Sequence, residues 1–365
     1  MDPSHGAPSH IRSISPYQPG KPITELAREL GLTPSGIVKL ASNENPLGMS
    51  PRAREAMVGC CNEIGRYPDG NGFELKAALS ARTGMAPERI VLGNGSNDVL
   101  DLAARAFLGP ATEAVFSQYG FAVYPLSTQA VGATGIAVPA TEFGHDLARM
   151  RDAIGERTRV VFIANPNNPT GTFIEGDRLL AFLADVPPEV LVVLDEAYTE
   201  YLDEDQRYDS LSWLDRFPNL LVTRTFSKAY GLAGLRVGYG IGSPDVIDLM
   251  NRVRQPFNVS LVGLAAATAA LADDEFILRS ADLNRRGMTQ VLSAFDALGL
   301  DWIPSAGNFV TVRLRGAADV NRRLLERGVI VRPIAGYGLA DWLRVSIGLP
   351  EENEIFIGAL KATLA

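Results

Sequence analysis

Along most of the chain, short runs of consecutive apolar residues alternate with stretches whose apolar positions recur every three to four residues. The continuous runs fall at residues 90–92, 114–116, 136–138, 160–163, 190–194, 220–222 and 237–239. A strand wetted on one face alternates apolar with polar positions, so unbroken runs predict strands covered on both faces. Helical spacing at 98–108 and 177–183 lies between such runs. Strand–helix alternation of this kind predicts a mostly parallel, wound α/β sheet.

After about Pro256 the pattern changes. An Ala/Leu-rich helical region runs through Arg285 and Arg286 towards Leu300, followed by apolar runs at 308–313 and 329–332 around a helical stretch at 319–327. These predict a smaller α+β unit. Residues 1–20 are rich in Pro, Ser and Gly and read as an extended arm; 23–30 has helical spacing. The expected division is 1–48 for the arm and part of the small domain, 49–258 for the large domain, and 259–365 for the C-terminal small domain.

Composition narrows the field. At 365 residues and 46% hydrophobic, the chain can bury a large core. A formal net charge of -8 argues against nucleic-acid binding, which calls for a basic field. The apolar stretch 261–271 is far below a membrane span and reads as a buried helix. The two cysteines, Cys60 and Cys61, are adjacent, a poor geometry for a structural disulfide, which fits a cytoplasmic setting. His5, His10 and His145 show no metal-ligand spacing, so no dedicated metal site is expected.

Candidate chemistry gathers where the apolar runs end, which is where wound sheets collect ligands. Residues 165–171 read Asn-Pro-Asn-Asn-Pro-Thr-Gly, 195–198 read Asp-Glu-Ala-Tyr, and 227–236 carry Ser227, Lys228 and Arg236. A lone lysine is a solvated charge. One that follows a buried strand and stands near another cation has a lowered pKa and a nucleophilic amine. Ser227 and Arg236 can hold a phosphate, the arginine bidentately. Asp195 closes an apolar run, and a buried carboxylate needs a cationic partner. That partner is either a structural one or a protonated pyridine nitrogen, which makes the ring an electron sink. Gly93-Asn-Gly-Ser-Asn-Asp98 follows a strand and opens a helix, offering backbone N–H groups to an anion, but it fits neither the dinucleotide fingerprint nor a P-loop.

The three motifs, in this order, resemble the fold-type I pyridoxal-phosphate aminotransferases of class II. Residues 16–20, 40–46, 66–69, 307–309, Arg332 and 343–348 resemble the histidinol-phosphate aminotransferase branch. The resemblance implies a large domain with a mostly parallel seven-stranded sheet flanked by helices, a smaller α+β domain, and pyridoxal 5'-phosphate as cofactor. It implies that Lys228 binds the cofactor covalently, that Asp195 pairs with the pyridine nitrogen, and that Tyr198 and Asn168 hold the ring oxygen. Ser96, Asn97, Ser227 and Arg236 would contact the cofactor phosphate, and Tyr119 would stack on the ring. Tyr67 would reach the neighbouring subunit's cofactor, implying a homodimer. Arg344, with Arg332 and Tyr17, would bind the anionic end of histidinol phosphate and of glutamate or 2-oxoglutarate. The alternatives are an aromatic amino-acid aminotransferase of the same branch and a related phosphate-substrate decarboxylase. A cofactor-binding regulator would need an attached DNA-binding domain, for which the arm is too short and Pro-rich.

Overall fold

The computed structural model describes residues 2–365. Its seven-stranded sheet runs, edge to edge, Ile90–Gly93, Gly238–Ile241, Leu220–Thr225, Leu191–Asp195, Thr158–Ala164, Glu113–Ser117 and Thr134–Val138. Each of the seven apolar runs between residues 90 and 239 overlaps one of these strands. Neighbours pair parallel except Gly238–Ile241, which is antiparallel to both of its neighbours.

The unbroken runs have a simple cause. Val161, Ile163, Val192, Leu194 and Val222 face one apolar cluster, while Val160, Phe162, Leu191, Val193 and Leu221 face another. Successive side chains point to opposite faces of a strand, and both faces are dry. Helix Ser96–Phe107 covers the second face through Val99, Leu100 and Ala103; helix Gly176–Asp185 covers the first through Leu179, Phe182 and Leu183. Burying one such side chain, Phe162 for example, contributes about 1.5–3 kcal/mol.

The smaller unit is built on an antiparallel sheet in the order Arg332–Pro333, Trp342–Ser346, Phe309–Arg313, Trp302–Ile303. Helices Asp274–Ala297, Ala317–Glu326 and Pro350–Leu364 close its core around Phe295, Leu324 and Phe356. Strand Val38–Lys39 pairs parallel with Val329–Ile330, so the chain enters this unit before it builds the large one.

Two expectations change. A boundary at 258/259 is too early: helix Leu261–Leu271 sinks Ala266, Ala267, Ala270 and Leu271 into the large core. Its largely apolar surface and small alanines suit close packing on that core rather than a lobe boundary. The crossing comes within Asp274–Ala297, which packs Ile277 on the large core and Val291 and Phe295 in the small one. The described part of the arm is also not wholly extended. It forms a 3-10 turn at Pro3–Gly6 and a helical turn at Ser9–Arg12 before running extended towards Pro22. Gln129 ties it down, its Nε2 donating to the His10 carbonyl at 3.1 Å and to Ser13 Oγ at 2.9 Å.

Candidate active site

At the carboxyl ends of the central strands lies a cavity of about 200 Å³. Its lining includes Ser96, Asn97, Asn168, Asp195, Tyr198, Ser227, Lys228 and Arg236 from the large unit, with Tyr17, Arg332 and Arg344 from the arm and the small unit. Eleven of the thirteen residues singled out in the sequence therefore meet in one place.

One end is a cradle made by glycine. Gly95, at φ +83°, turns the chain from strand Ile90–Gly93 into helix Ser96–Phe107, and a Cβ there would lie 2.4 Å from Arg236 Nη2. A Cβ on Gly238 would lie 2.2 Å from the Ser96 backbone nitrogen. The missing side chains let Arg236 and the helix N-terminus converge, a ready anion site. Arg236 itself is left-handed at φ +57°, a conformation costing about 1–3 kcal/mol in a non-glycine residue. It is held there by Nη1 donating to the Ala233 carbonyl at 3.0 Å and to Ser227 Oγ at 3.3 Å.

Asp195 ends strand Leu191–Asp195 and is 5% exposed. Burial pushes its carboxyl up to about 6, against the pull of two donors, Tyr124 OH at 2.9 Å and Thr223 Oγ1 at 3.1 Å. Among the described residues it forms no ion pair. A desolvated carboxylate that faces a cavity with only neutral donors around it is suited to a cation arriving from the cavity.

Lys228 follows strand Leu220–Thr225 and donates from Nζ to the Ser42 carbonyl at 3.2 Å, 5.7 Å from the centre of the Tyr198 ring. Burial, then the positive charge of Arg344, lowers its amine from the ordinary 10.5 to about 7, with Glu44 opposing and Arg236 assisting. Tyr198 is buried and its hydroxyl accepts from Asn43 Nδ2 at 2.9 Å; burial pushes it up to about 12, so it stays a donor.

At the small-unit side, Arg332 and Arg344 are cross-strand partners and share one sheet face. Arg344 is 7% exposed, donates to Asn168 Oδ1 and to the Ala41 carbonyl at 2.6 Å each, and keeps its buried Nε without a protein partner. Arg332 lies 5.3 Å from the Tyr17 ring centre and donates to the Gln18 carbonyl. Two guanidiniums on one face, one with an unused donor, form a clamp for an anion such as carboxylate or phosphate.

Two sequence expectations fall elsewhere. Tyr119 is outside the lining; its ring packs 6.2 Å from Phe143, because the turn after strand Glu113–Ser117 directs Phe121 to the cavity instead. Tyr67 is 82% exposed, stacked 4.7 Å from Phe257 and outside the lining of this chain's own cavity. Sequence reasoning assigned no role to Asn43, Tyr124 or Thr223. Asn43 lies in the 40–46 stretch already singled out, whereas Tyr124 reaches Asp195 across the core with no local pattern to mark it.

These features fit a pyridoxal phosphate: a cradle for its phosphate, an uncompensated carboxylate for its ring nitrogen and a neutral amine for its carbonyl. Among the described residues no cluster of three or more His, Cys, Asp or Glu could hold a metal ion. Nor, among the described residues, is any helix long and apolar enough to cross a membrane.

Residues 35–360 match the family model for aminotransferase class I and II. Histidinol-phosphate aminotransferase 1 of Thiobacillus denitrificans is 62% identical, over 98% of this chain and 94% of its own length. Histidinol-phosphate aminotransferase 2 of Pseudomonas aeruginosa is 61% identical, over 97% and 96%. The fold superposes with a TM-score of 0.89 on the histidinol-phosphate aminotransferase of Sinorhizobium meliloti, solved with pyridoxal-5'-phosphate, at 29% identity over 98% of this chain and 96% of that one. The motifs, the two-lobed fold and these matches agree: the chain belongs to the class I and II aminotransferases.

Proposed function

We propose that this protein uses pyridoxal 5'-phosphate to transfer the amino group of L-histidinol phosphate to 2-oxoglutarate, yielding imidazole-acetol phosphate and glutamate in histidine biosynthesis. The observation that carries the reading is a single cavity holding a near-neutral amine, an uncompensated buried carboxylate and a pair of arginines. Full-length identity near 60% to relatives of that name supports the substrate.

When bound, the cofactor supplies a carbonyl for amines and a ring that withdraws electrons. Ser96, Asn97, Ser227 and Arg236 hold its phosphate at the helix N-terminus. Asp195, ionised beside the ring nitrogen, keeps a proton there and so stabilises charge that develops only near the transition state. Tyr198 and Asn168 donate to the ring oxygen. Lys228, its amine lowered to about 7, would hold the cofactor through its carbonyl, and its Nζ would take the proton from the donor's carbon and return it. A positioned amine contributes on the order of 10²–10⁴-fold in such proton transfers.

Histidinol phosphate lacks an α-carboxylate, while glutamate carries two carboxylates. Arg332 and Arg344, with Tyr17, therefore serve phosphate in one half-reaction and carboxylate in the other, a dual task suited to planar guanidinium forks. The exposed Tyr67, Phe257 and Ile64 support a homodimer in which Tyr67 completes the partner's phosphate site. The two free cysteines suit a reducing cytoplasm.

Incubation with histidinol phosphate and 2-oxoglutarate should produce glutamate, and Lys228→Ala should abolish it while leaving the fold intact. Glutamate production undiminished in that variant contradicts the assignment of Lys228; none in the wild type contradicts the proposed reaction.

A further inference from the structure

The turn at 165–171 carries Asn168 to the cavity and is partly braced from within, Gly171 N donating to the Asn167 carbonyl and Asn167 Nδ2 to Thr170 Oγ1, each at 2.8 Å. Pro166 and Pro169 remove two backbone donors from seven residues. The small unit adds bracing from outside at Asn168, Pro169 and Gly171. Arg344 donates to Asn168 Oδ1 at 2.6 Å, Thr311 Oγ1 donates to the Pro169 carbonyl at 2.6 Å, and the Ala306 backbone donates to the Gly171 carbonyl at 2.9 Å. Thr311 and Arg344 are directly opposed across strands Phe309–Arg313 and Trp342–Ser346, so two adjacent side chains grip two consecutive residues of the turn.

The grip fixes which atom of Asn168 the cavity sees. Arginine has donors and no acceptor, so the amide oxygen must face Arg344, leaving Nδ2 as the donor available to the cavity. Thr311 is fully buried, on the strand face opposite to Val310 and Val312, which point into the small-unit core. A buried hydroxyl costs stability unless it is hydrogen-bonded, and its partner here is the Pro169 carbonyl. Thr311 does not line the cavity itself.

We propose that Thr311 is a positioning residue: together with Arg344 it sets the Asn168 amide against the cofactor's ring oxygen, so that the small unit tunes how readily that oxygen carries negative charge. This rests on the proposed pyridoxal-phosphate site. A donor held on the ionised oxygen favours the ionised form, so loosening the turn weakens that preference and raises the pH at which the bound cofactor's near-visible absorption band changes.

The test is a pH titration of that band in the holoenzyme. Thr311→Val keeps the shape and removes the hydroxyl; the transition should rise by about 0.3–1 unit, the range a typical net hydrogen bond allows. Thr311→Ser should match the wild type. Val310→Ala, on the same strand but facing the small-unit core, should lower the melting temperature and leave the transition where it was. If Thr311→Val does not fold, Thr311→Ala is read in the same way. A transition unmoved by loss of the hydroxyl, or moved equally by Val310→Ala, overturns the proposal. A wild-type protein with no such band after incubation with pyridoxal phosphate overturns the cofactor reading, and this inference with it.

Discussion

At Lys228 the fold works against protonation. Burial and the nearby Arg344 lower the amine to about 7, so the folded protein favours its neutral form far more than the unfolded chain does. The sign follows: this lysine's contribution is fully present above its unfolded value of 10.5 and is lost as pH falls through about 7. In protein freed of cofactor, Lys228→Met should therefore melt higher than wild type at pH 7, with the gap narrowing towards pH 10; a gap independent of pH contradicts the shift. Asp195 has the opposite sense, its carboxyl raised to about 6. Its stability contribution is present below 3.8 and lost as pH rises through about 6. Asp195→Asn should stabilise the cofactor-free protein at neutral pH yet lower amino-transfer kcat by about 10²-fold or more, the scale of losing one preorganised electrostatic partner. Comparison of melting curves and kcat checks both halves. Asp195 was legible because it ends an apolar run, and Lys228 because it follows one; Arg332 and Arg344 were named only through the family resemblance. The hydroxyls of Tyr124 and Thr223, which hold Asp195, were not legible, because their roles exist only once distant strands are side by side.

At the scale of elements, the anion cradle depends on how closely strand Gly238–Ile241 approaches the start of helix Ser96–Phe107. Gly238→Ala places a methyl group 2.2 Å from the Ser96 nitrogen, against backbone that cannot yield without moving the helix N-terminus. It should weaken pyridoxal-phosphate affinity at least about tenfold, roughly the 1.4 kcal/mol of one lost charge-assisted contact, and lower the melting temperature. Cofactor titration followed by absorbance checks this; unchanged affinity would show that the cradle is not the phosphate site. Strands were legible here because successive residues such as Val160 and Val161 meet two separate apolar cores, giving runs with no polar interruption. The antiparallel sense of Gly238–Ile241 was not, since an apolar run carries no direction. The destination of Leu261–Leu271 was hidden for a similar reason: an all-apolar helix says that it is buried, not in which core.

At the scale of the molecule, the site exists only where units meet. The arm is tied to the large unit through Gln129 and to the small one through Arg332, passing Tyr17 over the cavity mouth on the way. Tyr67 is exposed and outside the lining of its own cavity, and in the proposed homodimer it acts at the partner copy's cavity. If so, Tyr67→Ala and Lys228→Ala protomers, each impaired alone, should complement when refolded together, restoring about a quarter of wild-type sites by random pairing in a two-fold dimer. No gain on mixing would place Tyr67's role within its own subunit.

The central claim, a phosphorylated amine as donor, is tested most directly by kcat/KM for histidinol phosphate against phenylalanine and tyrosine, with 2-oxoglutarate as acceptor. The paired Arg332 and Arg344 predict a preference for histidinol phosphate of at least about tenfold, since a charge-assisted anion contact contributes some 1.5–3 kcal/mol and the unphosphorylated donors leave the clamp differently filled. Equal or higher values for phenylalanine or tyrosine would contradict it and make the protein an aromatic amino-acid aminotransferase.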